Sequence, residues 1–153
     1  MDLIANRLEE LGFVLPPPAK PGGNYLPYLI VDKTLYLAGV ISIADGQIIG
    51  GVAGGGKSVE EGYAAARYCT LLQLANMKEA LGSLDRVARI ISLNGYVNAV
   101  PGFTESPQVI NGASDLLVQL FGEKGLHVRA AVGVPALPRG ALVEVQMIVA
   151  IEN

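Results

Sequence analysis

The stretch GQIIGGVAGGGKSVEEG, Gly46–Gly62, decides the fold. Within it, Gly51–Ser58 meets every fixed position of G-x-x-x-x-G-K-[ST], the pattern of a phosphate-cradling loop. A true loop of this kind needs a buried parallel strand directly before it and a helix directly after. It also needs a second apolar strand ending in Asp, to hold Mg²⁺. The helix is present, because Ser58 and Glu61 form an S-x-x-E capping box. The strand is poor: Gln47–Ile49 is three residues long and runs straight into glycines. RVARIISLNG places Asn94 where the Asp belongs, and QMIVAIEN offers only Glu152. The match is therefore a coincidence. Its glycines form a loop, Ser58 caps a helix, and Lys57 is a solvated charge.

Working outward, residues 2–12 read as a short amphipathic helix with Leu3, Ile4, Leu8 and Leu11 on one face. The prolines and glycines of LPPPAKPGGN then force an extended linker. Tyr28–Val31 and Thr34–Ile43 read as a hairpin turning at Asp32-Lys33. A helix opens at Ser58, repeats Tyr63, Ala66, Thr70, Leu74, Met77 and Leu81, and stops at Gly82. Val87–Val97 reads as a strand. A second long helix is capped by Ser106, with Pro107 at its first position, and ends near Gly122 or Gly125. Strands at about 127–134 and 141–151 close the chain.

Composition narrows the function. A chain of 153 residues fits one domain. Its apolar fraction of 51% comes without the ~18-residue uncharged run of a membrane span, so no membrane partner is expected. The excess apolar surface points to a subunit interface. An acidic N-terminus, unlike a signal peptide, and a single cysteine, Cys69, fit the cytoplasm. A net charge of -3 without a basic cluster argues against nucleic acid. One histidine and one cysteine are too few soft ligands for zinc.

The final strands carry the site-like pattern. Alternation puts Val128, Ala130, Val132 and Val134 on one side of HVRAAVGV, with His127, Arg129, Ala131 and Gly133 on the other. In LVEVQMIVAI, Glu144 and Gln146 oppose an apolar row. Arg129 among small residues needs a partner. That partner is either Glu144, in a salt bridge, or a ligand carboxylate matched to the planar guanidinium. His127 and Cys69 read as structural, and Tyr63 and Tyr68 as core and surface helix residues.

LYLAGVIS (35–42), SVEEGYAAAR (58–67), GSLDRVARIISLNGYV (82–97), VINGASDLL (109–117), VRAAVGVPALP (128–138) and VEVQMIVAI (143–151) occur in the order seen in one family. In these segments residues 22–153 resemble the Rid family, also called YjgF or L-PSP endoribonuclease-like, whose best-known members are reactive intermediate deaminases. Residues 1–21 look like a helix and proline-rich extension marking a subgroup. The resemblance implies an α+β, chorismate-mutase-like mixed sheet with two helices on one face, in a homotrimer with sites between subunits. It implies hydrolysis of enamines or imines to 2-keto acids and ammonia, on a small carboxylate substrate, without metal or organic cofactor. Residue by residue, it implies that Arg129 grips the carboxylate and Glu144 handles the attacking water. Tyr25, Gly39, Asn111 and Ala131 would line the cleft.

Two positions depart from the family pattern. Ala38 replaces a small hydroxyl residue, and Ala131 replaces a frequent cysteine. The cleft then loses side-chain polarity, which suits a larger, more apolar substrate. It also suits the rival reading, a non-catalytic trimer that binds a small carboxylate and regulates a partner. Endoribonuclease action ranks third, given the acidic charge.

Overall fold

The structure, a computed structural model, describes all 153 residues. Its first half contains α1 (Leu3–Glu10), β1 (Tyr28–Val31), β2 (Thr34–Ile41), β3 (Ile43–Ala44), β4 (Gln47–Ile48) and α2 (Val59–Leu81). Its second half contains β5 (Val87–Asn98), α3 (Ser106–Phe121), β6 (Val128–Val134) and β7 (Val143–Ile151). Five strands form a mixed sheet in the order β1-β2-β7-β5-β6, and only β5 and β6 run parallel. The fold is α+β, as expected, with three helices in all.

The core lies between one sheet face and the two long helices. Leu93, Val97, Val145, Met147 and Val149 of the sheet are fully buried, as are Leu74 and Met77 of α2 and Leu116, Leu117 and Leu120 of α3. The capping box at Ser58 and Glu61 is formed as read, and Gly82 ends α2 in a left-handed conformation. The start of α3 differs from expectation. Ser106 is the first helical residue rather than the cap, and its buried hydroxyl has no partner.

The glycine-rich stretch confirms the rejection of a phosphate loop. β4 pairs only with β3, in a separate two-stranded ribbon, through a turn in which Asp45 and Gly46 both adopt positive φ. Asp-Gly is the preferred pair for such a turn, a signal the loop assignment passed over. The loop amides that would have to face an anion are already used. Ala53 N–H donates to the Asn98 carbonyl, Gly54 N–H to Lys57, and the Gly55 and Lys57 N–H groups both to Val52. The Lys57 amine turns to Glu61 at 3.3 Å.

The N-terminal helix is built into the body by reciprocal caps. Asp2 accepts from the Ala5 and Leu84 amides, while Asp85 accepts from Leu3 and Ile4. Those two amides hold the Asp85 carboxyl below its usual pKa. Leu8 joins the main core, but Leu3 and Leu11 are exposed, so the buried face is narrower than the sequence suggested.

Candidate active site

β2 carries a register break between Leu37 and Val40 where it pairs with β7. The buried Gln73 amide holds this bulge, donating to the carbonyls of Ala38 (2.8 Å) and Val145 (2.9 Å). Bulges re-aim side chains and recur beside active sites. Here the break brings Gly39 against Glu144: a methyl added at Gly39 would stand 2.6 Å from Glu144 Oε2. The missing side chain makes the space for the carboxylate. Burial raises the Glu144 pKa, which suits a group that must exchange protons near neutrality. Tyr96 sits directly opposite Glu144 on β5, so both project from the same sheet face. Neither Gln73 nor Tyr96 carries a sequence signal for this role.

Glu144 lies where two hollows meet. One, of about 810 Å³, runs beneath the proline-rich segment, and Tyr25, Ala38, Gly39 and Glu144 line it. The other, of about 640 Å³, is an open groove that adds Leu26, Leu29 and Tyr36. Tyr25 is half exposed and its hydroxyl accepts from the Gly22 amide at 3.0 Å.

Arg129 lies elsewhere. It pairs in register with Leu93 on the helix-covered face, and its guanidinium reaches α3. There it donates to Ser114 Oγ at 3.0 Å and to the Pro107 carbonyl at 3.2 Å. Ser114 Oγ is also 2.9 Å from His127 Nε2, and His127 Nδ1 is 2.6 Å from the Gly125 carbonyl. A carbonyl only accepts, so Nδ1 carries a proton, and Nε2 is the ring nitrogen that shares a hydrogen bond with the Ser114 hydroxyl. Ser114 and His127 therefore seat the guanidinium, and no carboxylate completes a Ser-His-Asp triad. The chain's two ion pairs are Lys57–Glu61 and Lys124–Glu152, so of the two partners the sequence allowed for Arg129, the salt bridge to Glu144 does not form. Arg129 is also only half-buried, because β6 is an edge strand whose Val128 and Val132 are exposed.

The six sequence-predicted residues thus fall into two groups. Tyr25, Gly39 and Glu144 share one cleft. Ala131 lies on the Arg129 face of β6, and Asn111 stands one turn before Ser114 on α3. Alternation along the strands placed Arg129 and Glu144 together, but the parallel register of β6 turns Arg129 to the opposite sheet face. Cys69 is buried, and burial raises its thiol pKa far from the reactive range. Tyr68 is not a surface residue: it is half-buried in the cleft wall. No three His, Cys, Asp or Glu side chains stand close enough to hold a metal ion, and no helix is long and apolar enough to cross a membrane.

Residues 5–151 match the family described as "YjgF/chorismate mutase-like, putative endoribonuclease". The chain belongs to this YjgF/Rid family. It is 45% identical over 152 residues to protein TCP17 of Trypanosoma cruzi, covering 98% of this chain and 95% of that one. A protein of unknown function from Agrobacterium tumefaciens is 43% identical, with a TM-score of 0.91 over 98% of this chain and 93% of that one. A protein from Shewanella oneidensis MR-1 that carries the same endoribonuclease description is 36% identical. Its TM-score is 0.94 over 98% of this chain and all of that one.

The close approach at Gly39 gives a direct prediction. In Gly39→Ala the new methyl displaces the flexible end of Glu144 rather than any backbone. Any turnover that uses the Glu144 carboxyl should fall about tenfold or more, with melting temperature within ~2 °C of wild type. Steady-state kinetics beside a thermal scan would show it, and an unaffected kcat would detach Gly39 from the carboxylate's placement.

Proposed function

We propose that the protein is a cytoplasmic enamine/imine deaminase, releasing a 2-keto acid and ammonia at sites completed by a second copy of the chain. One observation carries this reading. Arg129 has no carboxylate partner, Glu144 has a raised pKa, and the two sit on opposite faces of one sheet. A chain that keeps both groups yet cannot bring them together is completed by a neighbour. The uncovered sheet face supports such an assembly: Leu29, Tyr36, Ile148, Ser92 and Val128 form a transverse row across all five strands. Leu29, Tyr36 and Val128 are exposed, an apolar patch suited to a trimer interface.

In this mechanism Arg129 of one protomer grips the substrate carboxylate with its planar fork and so orients the C=N carbon. Glu144 of the next protomer, as carboxylate, takes a proton from the attacking water. It passes that proton to nitrogen to give the hydroxy-amine adduct. It then takes the adduct's hydroxyl proton and delivers it to nitrogen as the C–N bond breaks, leaving ketone and ammonia. Imines already hydrolyse in water, so orientation and proton transfer are enough.

Co-expressed Arg129→Ala and Glu144→Gln chains provide the test. Each variant alone should be inactive, whereas random mixed trimers should regain about a quarter of wild-type activity, since one site in four then draws both intact halves. Sedimentation should give three times the 16.0 kDa chain mass. Inactive mixtures would place both groups in one chain and overturn the shared site.

The rival reading, a non-catalytic carboxylate-binding module, is favoured by Ala38. That residue offers the cleft only a methyl beside Glu144. Binding of 2-ketobutyrate without turnover of any imine would select it.

A further inference from the structure

Arg129 shares its hydrogen-bond partner with an imidazole, the side chain whose charge changes near neutral pH. Ser114 Oγ stands between two nitrogens, Arg129 Nη1 at 3.0 Å and His127 Nε2 at 2.9 Å. The other ring nitrogen, Nδ1, is held by the Gly125 carbonyl at 2.6 Å. Gly125 is itself fixed, since a methyl there would run into the backbone of Leu117 and Val118. The ring is therefore clamped on both sides. Ser114, His127 and Arg129 are all half-buried, so the cluster is not sealed from a ligand.

This arrangement serves both charge states of the ring with only hydrogens moving. A hydroxyl has one proton to give and two lone pairs to fill. With His127 neutral, the Ser114 proton goes to Nε2 and one lone pair accepts from Arg129. With His127 charged, Nε2 donates instead and both lone pairs are filled. The Ser114 proton is then free for an anion held on the guanidinium.

The second positive charge has no counter-ion in the chain. On α3, Asp115 accepts from the Tyr63 hydroxyl at 2.7 Å. In the turn Gly122–Gly125, Lys124 pairs with Glu152 at 3.8 Å and Glu123 is exposed. From β5, Arg89 donates to the Leu126 carbonyl at 2.9 Å and adds a further cation. No carboxylate forms an ion pair with His127 or Arg129. A carboxylate bound on Arg129 supplies the charge that both lack.

We propose that His127, acting through Ser114, couples carboxylate capture at Arg129 to uptake of a proton, so that a 2-oxo or 2-imino acid binds most tightly in mildly acidic solution. The inference rests on Arg129 as the carboxylate grip and adds what regulates it. Linkage gives the sign. A bound carboxylate makes His127 hold its proton more tightly. The extra affinity is then complete below the imidazole range and is lost as pH rises through it.

Calorimetry of 2-ketobutyrate on the full chain tests it, between about pH 5.5 and 8.5 and in buffers of differing protonation heat. Affinity should be about three- to tenfold higher at the acid end, with roughly 0.3–0.5 proton taken up per site near the midpoint. Glu144 of the next protomer is the other group that titrates toward the ligand, so the series is repeated on Glu144→Gln. His127→Asn keeps a donor for the Gly125 carbonyl and cannot change charge. It should bind at every pH with neither the slope nor the proton uptake. Ser114→Ala removes the shared oxygen and should flatten the slope. If His127→Asn does not fold, the Glu144→Gln chain still decides, because its proton uptake then comes from the Arg129 side.

Affinity independent of pH in the Glu144→Gln chain would overturn the coupling, and so would a slope that persists in folded His127→Asn. Imines turned over with such pH-independent binding would leave the deaminase standing without the coupling. Proton-coupled binding without turnover of any imine would remove the deaminase and leave the coupling. Absence of binding at every pH would overturn the grip itself.

Discussion

Glu144→Gln is expected to lose about 10²–10⁴-fold in the rate of imine hydrolysis while melting at a higher temperature than wild type at pH 7. Both effects have one cause. Burial raises the Glu144 pKa, so the folded protein holds this proton more tightly than the unfolded chain does. Ionisation then costs stability. The cost is absent below the ordinary value of 4.5, grows as pH rises through the folded value, and is complete above it. Gln has nearly the same shape and carries no charge, so it escapes the cost but cannot move the proton. Glu144 is half-buried and solvent screens much of the effect, so the gain should be small, ~1–3 °C.

Thermal scans of both proteins should therefore diverge at pH 7–8 and converge near pH 4. Equal melting at every pH would show a carboxyl that is not desolvated, and a retained rate would end its acid–base role. A stabilising substitution that removes activity is the mark of a residue kept for chemistry rather than for folding.

Gly112→Ala is expected to lower stability by about 2–3 kcal/mol and the melting temperature by ~5–10 °C. In an exposed helix this change would stabilise by up to ~1 kcal/mol, because Gly is a poor helix former. Here packing wins. Gly112 of α3 is buried against α2, and a methyl there would run into the backbone carbonyl of Tyr63 and approach the Arg67 amide nitrogen. Backbone cannot rotate aside, so the two helices must separate. Gly62, across the crossing, meets only Val109 methyl groups, and Gly62→Ala should cost clearly less.

The damage should reach the site too, since Asn111 and Ser114 flank Gly112 and Ser114 seats Arg129. Denaturant titration of the two variants checks the order. A Gly112→Ala protein as stable as wild type would mean that the helices do not cross this closely.

The sequence by itself determined the elements, the family and the residue types of the chemistry. The capping box at Ser58, the stop at Gly82 and the apolar spacing of both long helices are local signals, read from neighbours within one or two turns. The failure of Gly51–Ser58 as a phosphate loop was also legible, because only a three-residue stretch of strand precedes it and no Asp stands at Asn94. Arg129 and Glu144 stood out as charges in apolar strands. What they face did not, since alternation gives the side of a strand but not the register between strands.

The parallel pairing of β6 with β5 turned Arg129 toward Ser114, and the bulge held by Gln73 set Glu144 against Gly39. The docking of α1 came from caps that join residues more than 80 positions apart. Contacts between distant segments leave no periodic trace in the chain, and only the tertiary structure decided them.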